Sequence, residues 1–214
     1  MDIDKFNRYL NFAQNTVYSE PETPQFHTPL IKLAIDNFFD KLNLPHDALI
    51  YDIGCGQGTF MDMVKERGYQ NLVGITLSIE DSEACINKGY EVMCADMSDF
   101  DTKDSEVDLI WCRHALEHSV FPFFTLLEFN RVLKMGGKLY VEVPAPDLER
   151  RHEFNNNHFS VMGTVMWQAL FQRTGFSIDL SHEINLQLQL PEQKETPEKF
   201  FCYLLTKQHE HSYS

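Results

Sequence analysis

The sequence has few cysteines, and their arrangement excludes two common uses of this residue. The five cysteines are odd in number and show no C-x-x-C spacing, so we expect reduced thiols rather than disulfides or a structural zinc site. No stretch approaches the roughly 18 apolar residues that a membrane span requires, and the first residues lack the basic start and apolar run of a signal peptide. We therefore predict a cytoplasmic protein that does not contact membranes.

Basic residues are also scarce. Eighteen Lys and Arg stand against 32 Asp and Glu, which gives a formal net charge of −14. Because this charge repels nucleic-acid phosphates, the composition argues against a nucleic-acid partner and favours a small-molecule substrate. With 43% hydrophobic residues among 214 positions, the chain has enough apolar side chains for the core of one domain. The composition gives no indication of an oligomeric state.

The most informative segment is an apolar run that ends in an acid and continues into three alternating glycines. It spans residues 49–60 and reads L-I-Y-D-I-G-C-G-Q-G-T-F. Glycine has no Cβ, so the backbone N–H groups of such a loop can approach a bound ligand closely. The G-x-G-x-G spacing, with Asp52 before the first glycine, differs from the G-x-G-x-x-G dinucleotide fingerprint. The segment predicts a strand, a cofactor-binding loop and a helix.

Strand and helix patterns alternate along the rest of the chain. The predicted strands are 49–53, 72–75, 91–94, 107–111, 139–143, 176–180 and 200–206. The predicted helices are 2–16, 29–42 and 160–173, with three more that begin at Gly58, Ser78 and Pro122. We expect Gly136 to end the helix before the fifth strand, and the polar segment 187–198, with its two prolines, to form a loop. This alternation predicts a mostly parallel sheet with helices on both faces.

The glycine loop resembles motif I of the class I S-adenosylmethionine (SAM) dependent methyltransferases, and further motifs of that family follow in order over roughly residues 45–206. The resemblance implies a Rossmann-like α/β fold with a mostly parallel seven-stranded sheet and an antiparallel last strand. It implies a SAM-binding domain over residues 45–214, preceded by a helical lid or extension over residues 1–44. The cofactor-binding residues that it implies are Asp52, Gly54, Cys55, Gly56, Gly58, Thr76, Leu77, Asp96, Met97 and Cys112.

The end of the predicted second strand departs from the family pattern. The family usually has an acid there that pairs with the ribose hydroxyls, whereas this chain has Thr76. A hydroxyl makes one hydrogen bond but not the charge-assisted bidentate pair of a carboxylate, so we expect a weaker ribose contact or one shared with nearby groups. The departure also keeps open an alternative function, that of a SAM-binding regulatory protein without transfer activity.

Three polar side chains after the fourth strand have more than one interpretation. His114, Glu117 and His118 are spaced to share one face of a helical turn. Either histidine could act as the catalytic base, or the cluster could be structural, with Glu117 anchoring the turn. Some small-RNA and ubiquinone-pathway O-methyltransferases hold a divalent metal with a similar Glu-x-x-Glu-His cluster. That similarity implies a possible metal site formed by His114, Glu117, His118 and His158.

The acceptor of the methyl group is the least defined part of the prediction. The resemblance implies a small-molecule acceptor, such as a sugar or another metabolite, methylated on oxygen, nitrogen or sulfur. The locally basic segment 147–160 follows the fifth strand and is expected at the rim of the pocket. Its Arg150 and Arg151 could hold an anionic group of the acceptor, or the segment could be a solvated loop.

Overall fold

The computed structural model describes residues 3–14, 24–188 and 196–210. These ranges contain the helices α1 (Ile3–Gln14), α2 (Pro24–Asn37), α3 (Thr59–Glu66), α4 (Ile79–Asn87), α5 (Pro122–Val132) and α6 (Thr164–Arg173). The strands are β1 (Ile50–Ile53), β2 (Leu72–Thr76), β3 (Glu91–Cys94), β4 (Val107–Arg113), β5 (Leu133–Pro144), β6 (Phe176–Leu188) and β7 (Thr196–Lys207). Short 3-10 helices lie at Phe39–Lys41, Leu116–His118 and His152–Phe154.

The strands form one sheet in the order β3-β2-β1-β4-β5-β7-β6. Strands β1 to β5 pair in parallel, and β7 is antiparallel to both β5 and β6. This confirms the predicted mostly parallel, seven-stranded sheet with an antiparallel last strand. The strand order reverses between β1 and β4, and in open α/β sheets a ligand binds at the carboxyl ends of the strands at such a reversal.

Side chains of the central strands alternate between two apolar layers. On β4, Ile110 belongs to one buried cluster, whereas Leu109 and Trp111 belong to the other. The Trp111 ring lies between those of Phe60 and Tyr140, with centroid distances of 4.6 Å and 3.9 Å. Because both faces of the sheet are covered, its strands read as continuous hydrophobic runs rather than as alternating polar and apolar residues.

The predicted loop over residues 187–198 is wrong at both ends. β6 continues to Leu188 and β7 begins at Thr196, so that Gln187 lies opposite Pro197. The pairing of β7 with β5 starts only at Phe200, which leaves one side of β7 unpaired at Pro197. A proline is tolerated there because no hydrogen bond to a neighbouring strand requires its missing N–H. The middle of the predicted loop, residues 189–195, lies outside the described residues.

Helix α5 ends earlier than predicted. It stops at Val132, and Gly136 lies within β5 with a φ of 78°. The pairing of β5 with β4 shifts register between Val107 and Leu109, so the chain needs an irregular turn in this part of β5. Gly136 provides that turn rather than the end of the helix.

Helix α6 begins later than predicted, at Thr164 instead of Ser160. The Ser160 N–H donates to the carbonyl oxygen of Glu117 at 2.9 Å, and its hydroxyl donates to that of Ser119 at 2.6 Å. Ser160 therefore holds the loop before α6 against the 3-10 helix Leu116–His118 instead of capping a helix.

The N-terminal segment, predicted as an extension over residues 1–44, joins the core in its second half. Ala34 and Ile35 of α2 are buried together with Phe38 and Phe39, which follow the helix. Residues 1, 2 and 15–23 lie outside the described ranges. Among the helices within those ranges, none has the length and apolar character needed to cross a membrane.

Candidate functional site

A pocket opens at the carboxyl ends of β1, β2 and β4, where the strand order reverses. It is lined by Gly54, Gly56, Ile75, Thr76, Leu77, Ser78, Asp81, Ala95, Asp96, Met97, Ser98, His114, Ala115, His118, Ser119, Val120, Phe121, Asn157 and Phe159. Eight predicted site residues are therefore brought together here: Gly54, Gly56, Thr76, Leu77, Asp96, Met97, His114 and His118.

The glycine loop bends back over the end of β1 because its glycines adopt positive φ angles. Gly54 has a φ of 70° and Gly56 a φ of 48°. A Cβ on Gly54 would lie 2.8 Å from the Ala115 Cβ, whereas a Cβ on Gly56 would meet nothing within 4 Å. Gly54 is therefore required for packing against the loop after β4, and Gly56 keeps space open in the pocket.

Four predicted cofactor residues do not line the pocket: Asp52, Cys55, Gly58 and Cys112. Gly58 precedes α3 with a φ of 86°, and the two cysteines are buried. Burial raises the pKa of Asp52, and its Oδ2 has no hydrogen-bond partner in the part of the chain that the structure describes. Asp52 therefore places a buried carboxyl oxygen without a described partner two residues before Gly54.

The wall beside β2 contains a carboxylate that the sequence prediction missed. Asp81, in the first turn of α4, is 7% exposed and lines the pocket together with Thr76. The Thr76 Oγ1 accepts from the Ser78 N–H at 3.1 Å, and the Ser78 Oγ accepts from the Asp81 N–H at 3.2 Å. The Ser78-x-x-Asp81 pattern is a sequence signal for this acid, because a capped helix start places its third residue near the preceding strand end.

His114 differs from the prediction because it does not share a helical turn with Glu117 and His118. It follows β4 with a φ of 50°, and its Nε2 lies 2.9 Å from Glu142 Oε1 while its Nδ1 lies 3.5 Å from Glu117 Oε1. Burial and the charge of Arg113 lower the pKa of His114, but hydrogen bonds to the two carboxylates outweigh them and raise it. Because both ring nitrogens face carboxylates, neither is placed to accept a proton from a substrate.

Glu142 on β5 is the second buried anchor of this network, and the sequence did not single it out. It pairs with Arg113 at 2.9 Å and accepts from the Tyr140 hydroxyl at 2.7 Å, in addition to its contact with His114. Burial opposes ionisation of Glu142, but the charge of Arg113 and the contact with His114 outweigh it and lower its pKa to about 2. The carboxylate is therefore ionised and holds both Arg113 and His114 in place.

Glu142→Gln is expected to reduce the free energy of unfolding at pH 7 by about 3 kcal/mol, since it leaves Arg113 and His114 short of a buried counter-charge. The pKa of Glu142 falls from 4.5 to about 2 on folding, so its contribution is complete above pH 4.5 and is lost as the pH falls towards 2. Denaturant unfolding should therefore show a difference in the free energy of unfolding between wild type and variant, and this difference should become smaller below pH 4.5. The control is Glu66→Gln, which changes an exposed residue. If the difference between wild type and Glu142→Gln stayed constant with pH, it would contradict a stabilising role of the ionised Glu142 carboxylate.

Glu117, His118 and His158 form a second group, with one ligand atom of each within 4.8 Å of the others. His118 Nδ1 lies 3.0 Å from the carbonyl oxygen of Asn157. Because a carbonyl only accepts, Nδ1 carries the proton and Nε2 carries the lone pair. Burial lowers the pKa of His158 to about 4, so this imidazole is neutral at pH 7. His114, predicted as a fourth ligand, lies outside the group because carboxylates face both of its nitrogens.

The basic segment 147–160 does not present its arginines to the pocket. Arg150 lies 3.3 Å from Glu198, which also pairs with His152 at 2.8 Å. Arg151 is exposed and packs over a phenylalanine ring of the same segment. Neither arginine lines the pocket, so the geometry favours the solvated-loop alternative over an anion-binding role.

The sheet, the glycine loop and the position of the pocket define an α/β protein of the class whose ligands bind at the strand reversal. A family model described as a methyltransferase domain matches residues 51–141. An uncharacterised protein of Methanocaldococcus jannaschii is 29% identical over 175 residues, which cover 82% of this chain and 69% of that protein. The 27-O-demethylrifamycin SV methyltransferase of Amycolatopsis mediterranei is 23% identical over 168 residues, which cover 71% of this chain and 61% of that enzyme.

Among solved structures, a SAM-dependent methyltransferase from Thermotoga maritima has the same fold, with a TM-score of 0.65 and 19% identity over 97% of this chain and 96% of that one. Residues 51–141 therefore match a methyltransferase domain, and the chain has the fold of SAM-dependent methyltransferases. SAM supplies a methyl group on a positively charged sulfur, and the pocket suits such a molecule. Gly56 leaves open the space that a side chain would fill, and Asp81 and Asp96 line the wall while the described lining contains no Lys or Arg.

Proposed function

We propose that this enzyme transfers the methyl group of SAM to a hydroxyl oxygen of a small molecule, with His118 as general base. The observation that carries the proposal is the placement of His118 in the same pocket as the glycine loop, with its Nε2 lone pair free of the Asn157 carbonyl. The name of the Amycolatopsis relative describes methylation of an O-demethylated small molecule, which supports an oxygen acceptor. Calorimetric titration with SAM and with NADH, followed by a methyl-transfer screen of hydroxyl compounds, tests the proposal.

The proposed reaction is a direct displacement. The acceptor oxygen bonds to the methyl carbon while its proton moves to Nε2 of His118, and the electrons of the broken bond stay on sulfur. Catalysis then depends mainly on aligning the two reactants, and the base adds to it when the acceptor must lose a proton. In this proposal His114 keeps the turn in place and is not a base, because its ring is held between Glu117 and Glu142.

We assign the cofactor ribose to the wall formed by Thr76 and Asp81. The Thr76 hydroxyl oxygen already accepts from the Ser78 backbone, which limits what it can offer a ligand. Asp81 supplies, one helical turn later, the carboxylate that the end of β2 lacks. A carboxylate can accept from both ribose hydroxyls, so Thr76 need not weaken SAM binding. This removes the main support for a regulatory protein without transfer activity.

Asp81→Asn is expected to raise the dissociation constant for SAM about tenfold, because it replaces charge-assisted hydrogen bonds by neutral ones worth about 1.4 kcal/mol less. The matched control is Glu83→Gln, which changes an exposed acid on the same helix and should leave the constant unchanged. Calorimetric titration measures both. An unchanged affinity in the Asp81 variant would remove this residue from the ribose site.

A divalent metal at Glu117, His118 and His158 is the second candidate for this part of the site. Two observations favour it: the three ligand atoms lie close together, and Glu117 Oε2 and His158 Nδ1 are buried without hydrogen-bond partners among the described residues. Two imidazoles and a carboxylate suit zinc or iron as well as magnesium. A bound metal would polarise the acceptor hydroxyl, whereas His118 without metal would take its proton.

We further propose that residues 1–44 supply part of the wall or lid over the pocket. The buried half of α2 fixes this segment to the face of the sheet that also holds Trp111. Removal of residues 1–23, which precede the buried positions, should weaken binding of the acceptor more than it changes the unfolding transition.

A further inference from the structure

Part of the pocket lining combines aromatic rings with hydrogen-bond acceptors, and no Lys or Arg lines the pocket among the described residues. Its walls include His118, Phe121, Asn157 and Phe159. From these groups we infer that the acceptor is an uncharged aromatic alcohol, a phenol, rather than a carboxylate or a phosphate ester. This inference rests on the proposed methyl transfer to oxygen and names the class of molecule that the same site takes.

The charges around this wall are already paired. Arg113 is 2.9 Å from Glu142, the ring of His114 faces Glu142 and Glu117, and Arg150 is 3.3 Å from Glu198. No Lys or Arg lines the pocket in the part of the chain that the structure describes. An anionic acceptor would lose its water on entry without gaining a cation, and an unpaired buried charge is strongly unfavourable.

Several polar atoms in this part of the site can accept hydrogen bonds. Asn157 lines the pocket, and its Oδ1 is buried without a partner among the described residues. The free nitrogen of His118 carries a lone pair, and Glu117 Oε2 nearby is also without a partner. A hydroxyl can donate to such atoms, whereas a carboxylate or phosphate dianion has no proton to donate. The wall therefore complements a molecule that offers O–H groups.

The rings of the wall favour a flat, aromatic molecule. Phe121 and Phe159 line the same pocket as His118. Aromatic side chains bind other rings through stacked or edge-on contacts. Deprotonation of a phenol by a nearby imidazole then gives the nucleophile that methyl transfer to oxygen requires.

The test compares three acceptors that share one phenol ring and differ in the charge of one substituent: 3-hydroxybenzyl alcohol, 3-hydroxybenzoate and 3-hydroxybenzylamine. Transfer of labelled methyl from SAM gives kcat/KM for each. We expect the neutral alcohol to exceed the benzoate at least tenfold. Asn157→Leu should raise KM for the alcohol severalfold and leave the SAM dissociation constant unchanged.

A positive charge added to the pocket wall should favour the anionic acceptor. Val120→Lys places an ammonium group at the pocket and should reduce the ratio of kcat/KM for the alcohol to kcat/KM for the benzoate. Val165→Lys, on the exposed face of α6, should leave this ratio unchanged. Equal or faster turnover of the benzoate by the wild type would overturn the inference. Binding of SAM without methylation of any of the three phenols would also overturn it and leave other acceptors to the proposed function. Failure to bind SAM would overturn the proposed function itself.

Discussion

Gly56→Ala is expected to lower the affinity for SAM at least tenfold while the protein remains folded. The methyl group would enter the open space that Gly56 leaves in the pocket, since a Cβ at this position meets no protein atom within 4 Å. The loss corresponds to about 1.4 kcal/mol or more of binding free energy. Calorimetric titration with SAM measures it directly, and thermal unfolding checks the fold.

The control for this variant has to separate steric exclusion from backbone strain. Gly56 has a φ of 48°, so an alanine there costs about 1 kcal/mol of stability whatever the pocket contains. Gly89→Ala imposes the same kind of strain at a φ of 86°, also with nothing within 4 Å, but lies at the end of α4 away from the pocket. Both variants should lose similar stability, and Gly56→Ala alone should lose SAM. Equal SAM affinity in the two variants would mean that the cofactor does not lie against Gly56.

Gly54 is a less useful position for this purpose, although the motif alone does not distinguish the two glycines. A Cβ on Gly54 would lie 2.8 Å from the Ala115 Cβ, so a substitution there would displace the loop after β4 together with the glycine loop. Loss of SAM binding in a Gly54 variant would then reflect a disturbed fold as much as a blocked site. The distinction depends on a tertiary contact between residues 61 positions apart, which no local pattern in the sequence reveals.

The sheet and the cofactor loop were predictable because local signals determine them. A buried parallel strand needs an apolar run, and the turn after β1 needs positive φ angles that glycine adopts freely. The residue pattern over 49–60 carries both signals, and β1 and α3 lie as it predicts. The start of α4 was equally local, since Ser78 accepts from the Asp81 N–H in the manner of a helix cap.

The ends of the later elements were harder to predict, because distant pairing decides them. Pro197 predicts a loop because proline has no backbone N–H to donate. It nevertheless lies on β7, because the partner strand β6 extends to Leu188. Gly136 predicts a helix end, yet it serves the register shift between β5 and β4. In each case the local preference was correct for an isolated segment and was overridden by the sheet.

In the candidate site, too, some features follow from the local sequence and others from contacts between distant residues. The motif after β4 predicted His114 and His118 as candidate catalytic residues. Their proposed roles differ because residues from other parts of the chain contact each of them. Glu142 on β5 faces His114, and the Asn157 carbonyl fixes the tautomer of His118. Neither contact has a sequence signature, because each joins residues whose separation along the chain is set by the fold.

His118→Ala is expected to reduce kcat by about 10²–10⁴-fold, the range associated with loss of a general base, with little change in SAM affinity. His118 lines the pocket beyond the cofactor loop, and its Nε2 carries the lone pair that would take the acceptor proton. Methyl transfer to the best acceptor from the hydroxyl screen is the measurement, and His46→Ala, which changes an exposed histidine, is the control.

Added imidazole and a chelator distinguish a base from a metal ligand in this variant. If His118 is the base, free imidazole should restore part of the rate of His118→Ala, and EDTA should leave the wild-type rate unchanged. If Glu117, His118 and His158 hold a metal, EDTA should abolish wild-type transfer, and elemental analysis should find about one metal ion per chain that is lost in the variant and released at low pH, where the imidazoles are protonated. A His118→Ala rate within threefold of the wild type would contradict both roles, because the reaction would then proceed by alignment of acceptor and SAM alone.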